Sequence, residues 1–93
     1  MRTTRFTGRF KRDYRREQSG GLAKKLDALL MEAVNLLAVD APLPARYFDH
    51  ALVGEWNDHR DCHVRPDLIL IYRKPDADSL ELVRLGSHSE LGL

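Results

Sequence analysis

The sequence predicts an α+β fold in which two N-terminal helices, arranged as an antiparallel hairpin, pack on a small antiparallel β-sheet. Three observations carry that prediction. Leu22, Leu26, Leu29, Leu30, Ala33, Val34 and Leu37 recur as one apolar stripe at helical spacing. Pro42 and Pro44 then forbid the helix to continue. Beyond residue 60 the pattern changes to that of strands. The chain, 93 residues long, is expected to form one domain, because two independent cores do not fit in that length.

Residues 2–6 read as a short strand. Thr7 is the expected N-cap of a first helix running to about Gln18. Phe10 and Tyr14 share a face of it, and Arg9, Arg12, Arg15 and Arg16 fill the rest. Ser19-Gly20-Gly21 breaks that helix, and so short a connection to the Leu-striped helix predicts the hairpin. Residues 40–49 form a loop. Residues 60–64 alternate, with Cys62 and Val64 on one face and Asp61 and His63 on the other. Arg65-Pro66 makes a turn. Residues 68–72 are apolar at every position, as expected of a central strand covered on one face by helices. A hairpin turn at residues 76–79 leads into a strand at 80–85, which Gly86 ends, and a short mobile tail follows.

Composition narrows the function classes. Hydrophobic residues at 43 % and charged residues at 31 % suit a soluble packed fold. The longest apolar run, Leu68 to Tyr72, falls far short of the about 20 residues a membrane helix needs. The N-terminal arginines have no apolar stretch behind them, so no secretory signal is expected. One cysteine, Cys62, excludes an internal disulfide and a thiolate-only zinc site, and a reducing cytoplasm is the expected location. The net charge of +1 hides an asymmetry: residues 1–25 hold nine Lys/Arg against two Asp/Glu, whereas residues 26–93 hold six against twelve. Such a basic end is either a solvated helix face or a collector of polyanions, nucleic acid before membrane.

His50, His59, His63 and His88 all lie in the second half, with Asp49, Asp61, Asp67, Arg60 and Arg84 near them. Histidine exchanges protons near neutral pH, and arginine grips phosphate with two hydrogen bonds. Together they are what metal-free RNA cleavage needs: one group to deprotonate the ribose 2′-OH, one to protonate the departing 5′-oxygen, and a cation for the charge on phosphorus oxygens. Each residue also has a plainer reading. His59 sits between charged neighbours as a wet surface residue. His63 is either a hydrogen-bonded sheet residue or a site residue, and His50 either caps the loop or serves the site. Arg84 shares strand parity with Leu80 and Leu82 and is expected to reach from the rim of the core toward Asp67. His88, in a tail with little structural duty, is the strongest functional candidate. A zinc site from His59, Cys62, His63 and Asp67 is disfavoured because Cys62 and His63 face opposite ways. Cys62 points into the apolar layer, which argues against a nucleophile. No cofactor is expected.

Several strings together resemble a known family. Pro42-Leu43-Pro44, Asp49-His50-Ala51-Leu52-Val53-Gly54, Trp56, Arg60-Asp61-Cys62-His63-Val64, Pro66 to Tyr72 and Val83-Arg84-Leu85-Gly86-Ser87-His88 stand in the order and spacing of YafQ-type toxins, within the RelE/ParE superfamily of toxin–antitoxin systems. The resemblance runs from about Lys11 to Leu91. It implies an α+β RelE/ParE-like fold and a metal-independent endoribonuclease that cuts mRNA in the ribosomal A site and inhibits translation. It also implies catalytic residues at His50, His63, Asp67, Arg84 and His88: His88 as general acid, Arg84 as phosphate clamp, His50 or Asp67 as base, and His63 orienting the phosphate. Arg9, Lys11, Arg12, Arg15, Arg16, Lys24 and Lys25 would then contact ribosomal RNA. A cognate acidic antitoxin is the implied partner, with operator DNA reached through it. Two positions depart from the pattern: Leu68 and Gly92 stand where many relatives carry aromatics, which bears on codon preference and turnover. Two other functions remain open, a ParE-like gyrase poison that cuts no RNA and a degenerate toxin acting only in the antitoxin complex.

Overall fold

In the computed structural model, which describes residues 1–20 and 23–93, the chain runs through β1 (Thr3–Phe6), α1 (Gly8–Gln18), α2 (Ala23–Ala38), β2 (His50–Ala51), β3 (Arg60–Arg65), β4 (Leu68–Arg73), β5 (Ser79–Gly86) and α3 (His88–Leu91). The predicted elements are present, with differences at their ends. Thr7 caps α1 as expected, its Oγ1 accepting the Phe10 N–H at 3.0 Å. Ser19 closes that helix. Gly21 and Leu22, the rest of the expected break and the first residue of the Leu stripe, lie outside the described residues. Leu26, Leu30, Ala33, Val34 and Leu37 are buried, so the stripe is the packing face of α2. The loop at 40–49 contains a 3₁₀ turn, Ala45–Tyr47. The β3–β4 turn falls at Pro66 and Asp67, one residue later than predicted.

One sheet holds all five strands in the order β1-β5-β4-β3-β2. It is antiparallel except that β1 runs parallel to β5. The helices cover one face, where Phe10, Leu26, Leu30 and Leu37 meet Cys62, Leu70, Tyr72, Leu80 and Leu85. The other face is not open. Ile69, Ile71, Val83 and Leu91 form a second apolar layer, closed by Leu52 and Trp56. That explains why β4 is apolar at every position: it is covered on both sides. Gly86 belongs to β5 rather than ending it, and the expected tail folds as α3. Its capping box has Ser87 Oγ accepting from the Glu90 N–H and Glu90 Oε1 accepting from the Ser87 N–H. Among the described residues no helix is long and apolar enough to cross a membrane.

The edge of β5 beyond β1 shows how the helices and sheet are locked. β1 pairs with β5 only as far as Leu82, which leaves the backbone of Val83 and Leu85 without a strand partner on that side. Helix α1 crosses this edge and supplies the partners from side chains. Thr7 Oγ1 donates to the Val83 carbonyl at 2.8 Å, and Arg16 donates to the Leu85 carbonyl at 2.8 Å. Asp13 Oδ2 accepts the Leu85 N–H at 3.0 Å and Arg84 Nε at 2.7 Å. Gly86 leaves room for this crossing: a Cβ there would lie 2.8 Å from the Arg16 guanidinium, which would have to shift.

Asp13 is buried, and burial alone pushes its carboxyl up. The hydrogen bonds from Arg84 and Leu85, with the charges of Arg84 and Arg16, outweigh that and hold it below the usual carboxylate range. A carboxyl depressed on folding stabilises the fold above its unfolded pKa, and this is lost as pH falls through the folded value. Asp13→Asn is therefore expected to cost about 2 kcal/mol at neutral pH, and the gap to wild type to narrow below about pH 4. Urea denaturation at the two pH values checks both halves.

Candidate active site

The strand register assembles the site across the sheet face opposite the helices. His50 lies beside Asp61, Asp61 beside Ile71, and Ile71 beside Arg84, one row spanning β2, β3, β4 and β5. The next row is His63, Ile69 and Gly86, and His88 follows as the first residue of α3. Side chains in a row project to the same face, so Asp61 and His63 project together, as the alternation of β3 predicted. The rings of His63 and His88 meet edge to face at a centroid distance of 5.3 Å. The Phe48 ring also meets His63, at a centroid distance of 5.5 Å. His88 is thus an ordered helical residue against His63, not part of a mobile tail.

The sheet has two register irregularities, and the second aims the cationic group. The register shifts between His63 and Arg65 on β3, and again where Ile71 and Tyr72 face Arg84 and Leu82. The second leaves Val83 as an extra residue on β5 and takes Arg84 out of line with Leu80 and Leu82. Arg84 therefore bonds Asp13, not Asp67, the partner its parity suggested. Its Nε and one Nη contact Asp13, leaving other guanidinium N–H groups for a ligand. Arg84 also lines a cleft of about 410 Å³ with Arg9, Val53, Trp56 and Leu91. Asp67 is exposed at the β3–β4 turn and makes no hydrogen bond or ion pair among the described residues, so it is not drawn into either row.

His50 is the best-oriented of the histidines. Its Nδ1 lies 2.7 Å from the Phe48 carbonyl and 3.0 Å from Asp61 Oδ1. Both neighbours accept, so Nδ1 is a donating nitrogen, and the side chain is otherwise exposed. The Nδ1–H is directed at the carbonyl, which leaves Asp61 Oδ1 buried without a hydrogen bond. Burial pushes the Asp61 carboxyl above the usual range, against the opposing pull of His50, His63 and His88. Asp61 was visible in the sequence only as a neighbour of His63 and was not singled out. Its signal was a carboxylate two residues before His63, on the same strand face. Asp13 was missed as well. Its signal was an acidic residue three after Phe10, set among the arginines of a basic helix.

The basic residues divide. Arg9 reaches the cleft with Arg84. Lys11 and Arg15 instead line an apolar groove with Phe6, Phe10, Tyr14 and Met31. Arg12, Lys24 and Lys25 are exposed. Arg16 departs from the expected RNA-binding set: it is engaged by Asp13, Glu17, Glu90 and the Leu85 carbonyl. His59 lies against Trp56 with its Nδ1 near the Asn57 carbonyl, outside the cluster. Burial pushes the Cys62 thiol up to about 12, which removes it as a nucleophile. Among the described residues no group of three His, Cys, Asp or Glu is placed to hold a metal ion.

Residues 2–92 match the family described as bacterial toxin of type II toxin–antitoxin system, YafQ. A putative toxin YafQ of Haemophilus influenzae is 47 % identical over 64 residues, 66 % of this chain and 63 % of that protein. The mRNA interferase toxin YafQ of Escherichia coli K12 is 37 % identical over 91 residues, covering 98 % of this chain and 96 % of the relative. Among solved structures, a copper-bound mutant toxin from Helicobacter pylori superposes with a TM-score of 0.90 at 38 % identity, over 98 % of this chain and 99 % of the other. The toxin chain of the E. coli DinJ–YafQ toxin–antitoxin complex gives a TM-score of 0.81 at 36 % identity, over 97 % and 96 %.

A carboxyl raised on folding opposes folding where it is ionised. That penalty is absent below the unfolded pKa and grows above it. Asp61→Asn is therefore expected to melt above wild type at pH 7, with the advantage disappearing below about pH 4. Thermal melts at both pH values test the assignment.

Proposed function

This chain belongs to the YafQ family of bacterial type II toxins, and we propose that it acts there as a metal-independent, ribosome-dependent endoribonuclease that cuts mRNA and halts translation. The observation that carries this reading is the clustering of three histidines around a buried carboxylate, with an arginine in the same strand row.

In the proposed reaction His50 Nε2 takes the proton of a ribose 2′-OH. The 2′-oxygen attacks the adjacent phosphorus, forming the O2′–P bond. The P–O5′ bond breaks, and protonated His88 delivers its proton to the leaving 5′-oxygen. The products are a 2′,3′-cyclic phosphate and a 5′-hydroxyl. Arg84 holds the phosphate oxygens with the N–H groups Asp13 leaves free, and His63 positions the phosphate against His88. Asp61 stabilises the imidazolium that forms on His50. This favours His50 over Asp67 as base, because Nδ1 is already held and Nε2 is open. Arg9 and the exposed lysines and arginines of both helices would meet ribosomal RNA. The matching E. coli structure is a toxin–antitoxin complex. We infer a cognate acidic antitoxin here too, which brings the pair to operator DNA, and a cytoplasmic site of action, where ribosomes are.

Expression from a tight promoter, followed by primer extension, tests the reading. Wild type is expected to arrest growth and create new mRNA 5′-ends inside codons, on translated messages only. His88→Ala should lower cleavage by about 100-fold or more while leaving the melting temperature close to wild type, since the side chain is exposed. Arrest with intact mRNA, or full cleavage by His88→Ala, would overturn it. In the same assay His50→Ala is expected to lose about 100-fold or more, and Asp67→Asn clearly less. The reverse order would make Asp67 the base.

A further inference from the structure

Phe48 carries two unfavourable features that packing does not offset. The residue is 67 % exposed, and its backbone sits at φ 47, a left-handed conformation that L residues other than asparagine and aspartate seldom adopt. The conformation is tied in place at both ends. The Phe48 N–H donates to the Ala45 carbonyl at 3.0 Å, and the Phe48 carbonyl receives His50 Nδ1. One residue thus turns its carbonyl onto His50 and its ring onto His63. An outlier of this kind beside a reactive cluster points to use rather than accident.

The other rings are placed differently. Tyr47 and Tyr72 are buried, and Trp56, half-buried, packs on the second apolar layer and on His59 while it lines the cleft beside Arg84. Phe6 is exposed on β1, at the opposite edge of the sheet from β2. Leu68 is buried and Gly92 has no side chain, so neither offers a flat apolar surface at the site. Phe48 is the one exposed aromatic ring touching the histidine cluster among the described residues. Unpaired RNA bases are recognised by stacking on such rings, and the larger face of a purine gains more.

Resting on the nuclease reading above, we propose that Phe48 is the platform on which an mRNA base next to the cleaved bond stacks, and that it favours a purine there. The ring edge on His63 sets the distance between base and phosphate. Phe48 is accordingly a specificity-determining residue.

The test uses ribosomes programmed with an A-site codon carrying 2-aminopurine and 2′-O-methyl riboses, which block the attack, in parallel with cleavage of the unmodified message. Wild type and Phe48→Trp are expected to quench 2-aminopurine at one codon position. Phe48→Asn tolerates the left-handed turn, and Phe48→Leu keeps apolar bulk without a π face. Both should lose the quench, lose on the order of tenfold in kcat/KM on purine codons, and lose the purine preference. Thermal melts show that the variants are folded. Wild-type quenching in the Asn and Leu variants, or an unchanged base preference, overturns the proposal. Cleavage without any quench by wild type overturns stacking and leaves the nuclease standing. Quench without cleavage of the unmodified message supports stacking and removes the nuclease reading.

Discussion

The bond network of Asp13 is the interaction on which the rest of this molecule depends. A carboxylate taken out of water is costly unless its oxygens are fully used. Here they accept from Leu85, Arg84 and Arg16, which belong to the edge of β5, the site and α1 itself. The network ties α1 along a strand edge that would otherwise expose unpaired backbone. It sets Arg84 in the site and holds part of its guanidinium still. Through Arg16, which also meets Glu90, it reaches the helix that begins with His88. Stability and site geometry are therefore coupled through one acidic side chain.

The register irregularities make that coupling possible. In a regular antiparallel strand Arg84 would point with Leu80 and Leu82 into the layer under the helices, where a cation has no place. The extra residue at Val83 brings Arg84 level with Ile71, in the row of His50 and Asp61, while Leu85 returns to the core. A bulge near a site commonly has this use: it re-aims one side chain without disturbing the apolar alternation on either side.

The electrostatics of the site rest on two buried carboxylates in opposite surroundings. Asp13 is saturated with donors and held ionised. Asp61 is as buried, yet it leaves an oxygen without a hydrogen bond beside three histidines. The first makes a rigid anchor. The second leaves a buried carboxyl oxygen unpaired at the centre of the histidine cluster.

Much was legible in the sequence because it follows from local, periodic rules. The Leu stripe of α2, the Thr7 cap, the proline loop, the opposition of Cys62 to His63 and the unbroken apolar run of β4 depend on neighbours a few residues apart. The histidines and Arg84 could be named as chemistry for the same reason. What the tertiary structure decided depends on residues far apart. It decided the pairing of Arg84 with Asp13 across 71 positions, the parallel partner of β1, the bulge at Val83, the burial of Asp61, and the capture of Arg16 by structure rather than RNA. Such contacts leave no period in the chain, because their energy comes from desolvation and backbone satisfaction once the layers have closed. The sequence by itself determined which elements form and which residues carry charge or a titratable ring. Only the closed fold decided which charges are buried, and therefore which are held fixed and which are left free to react.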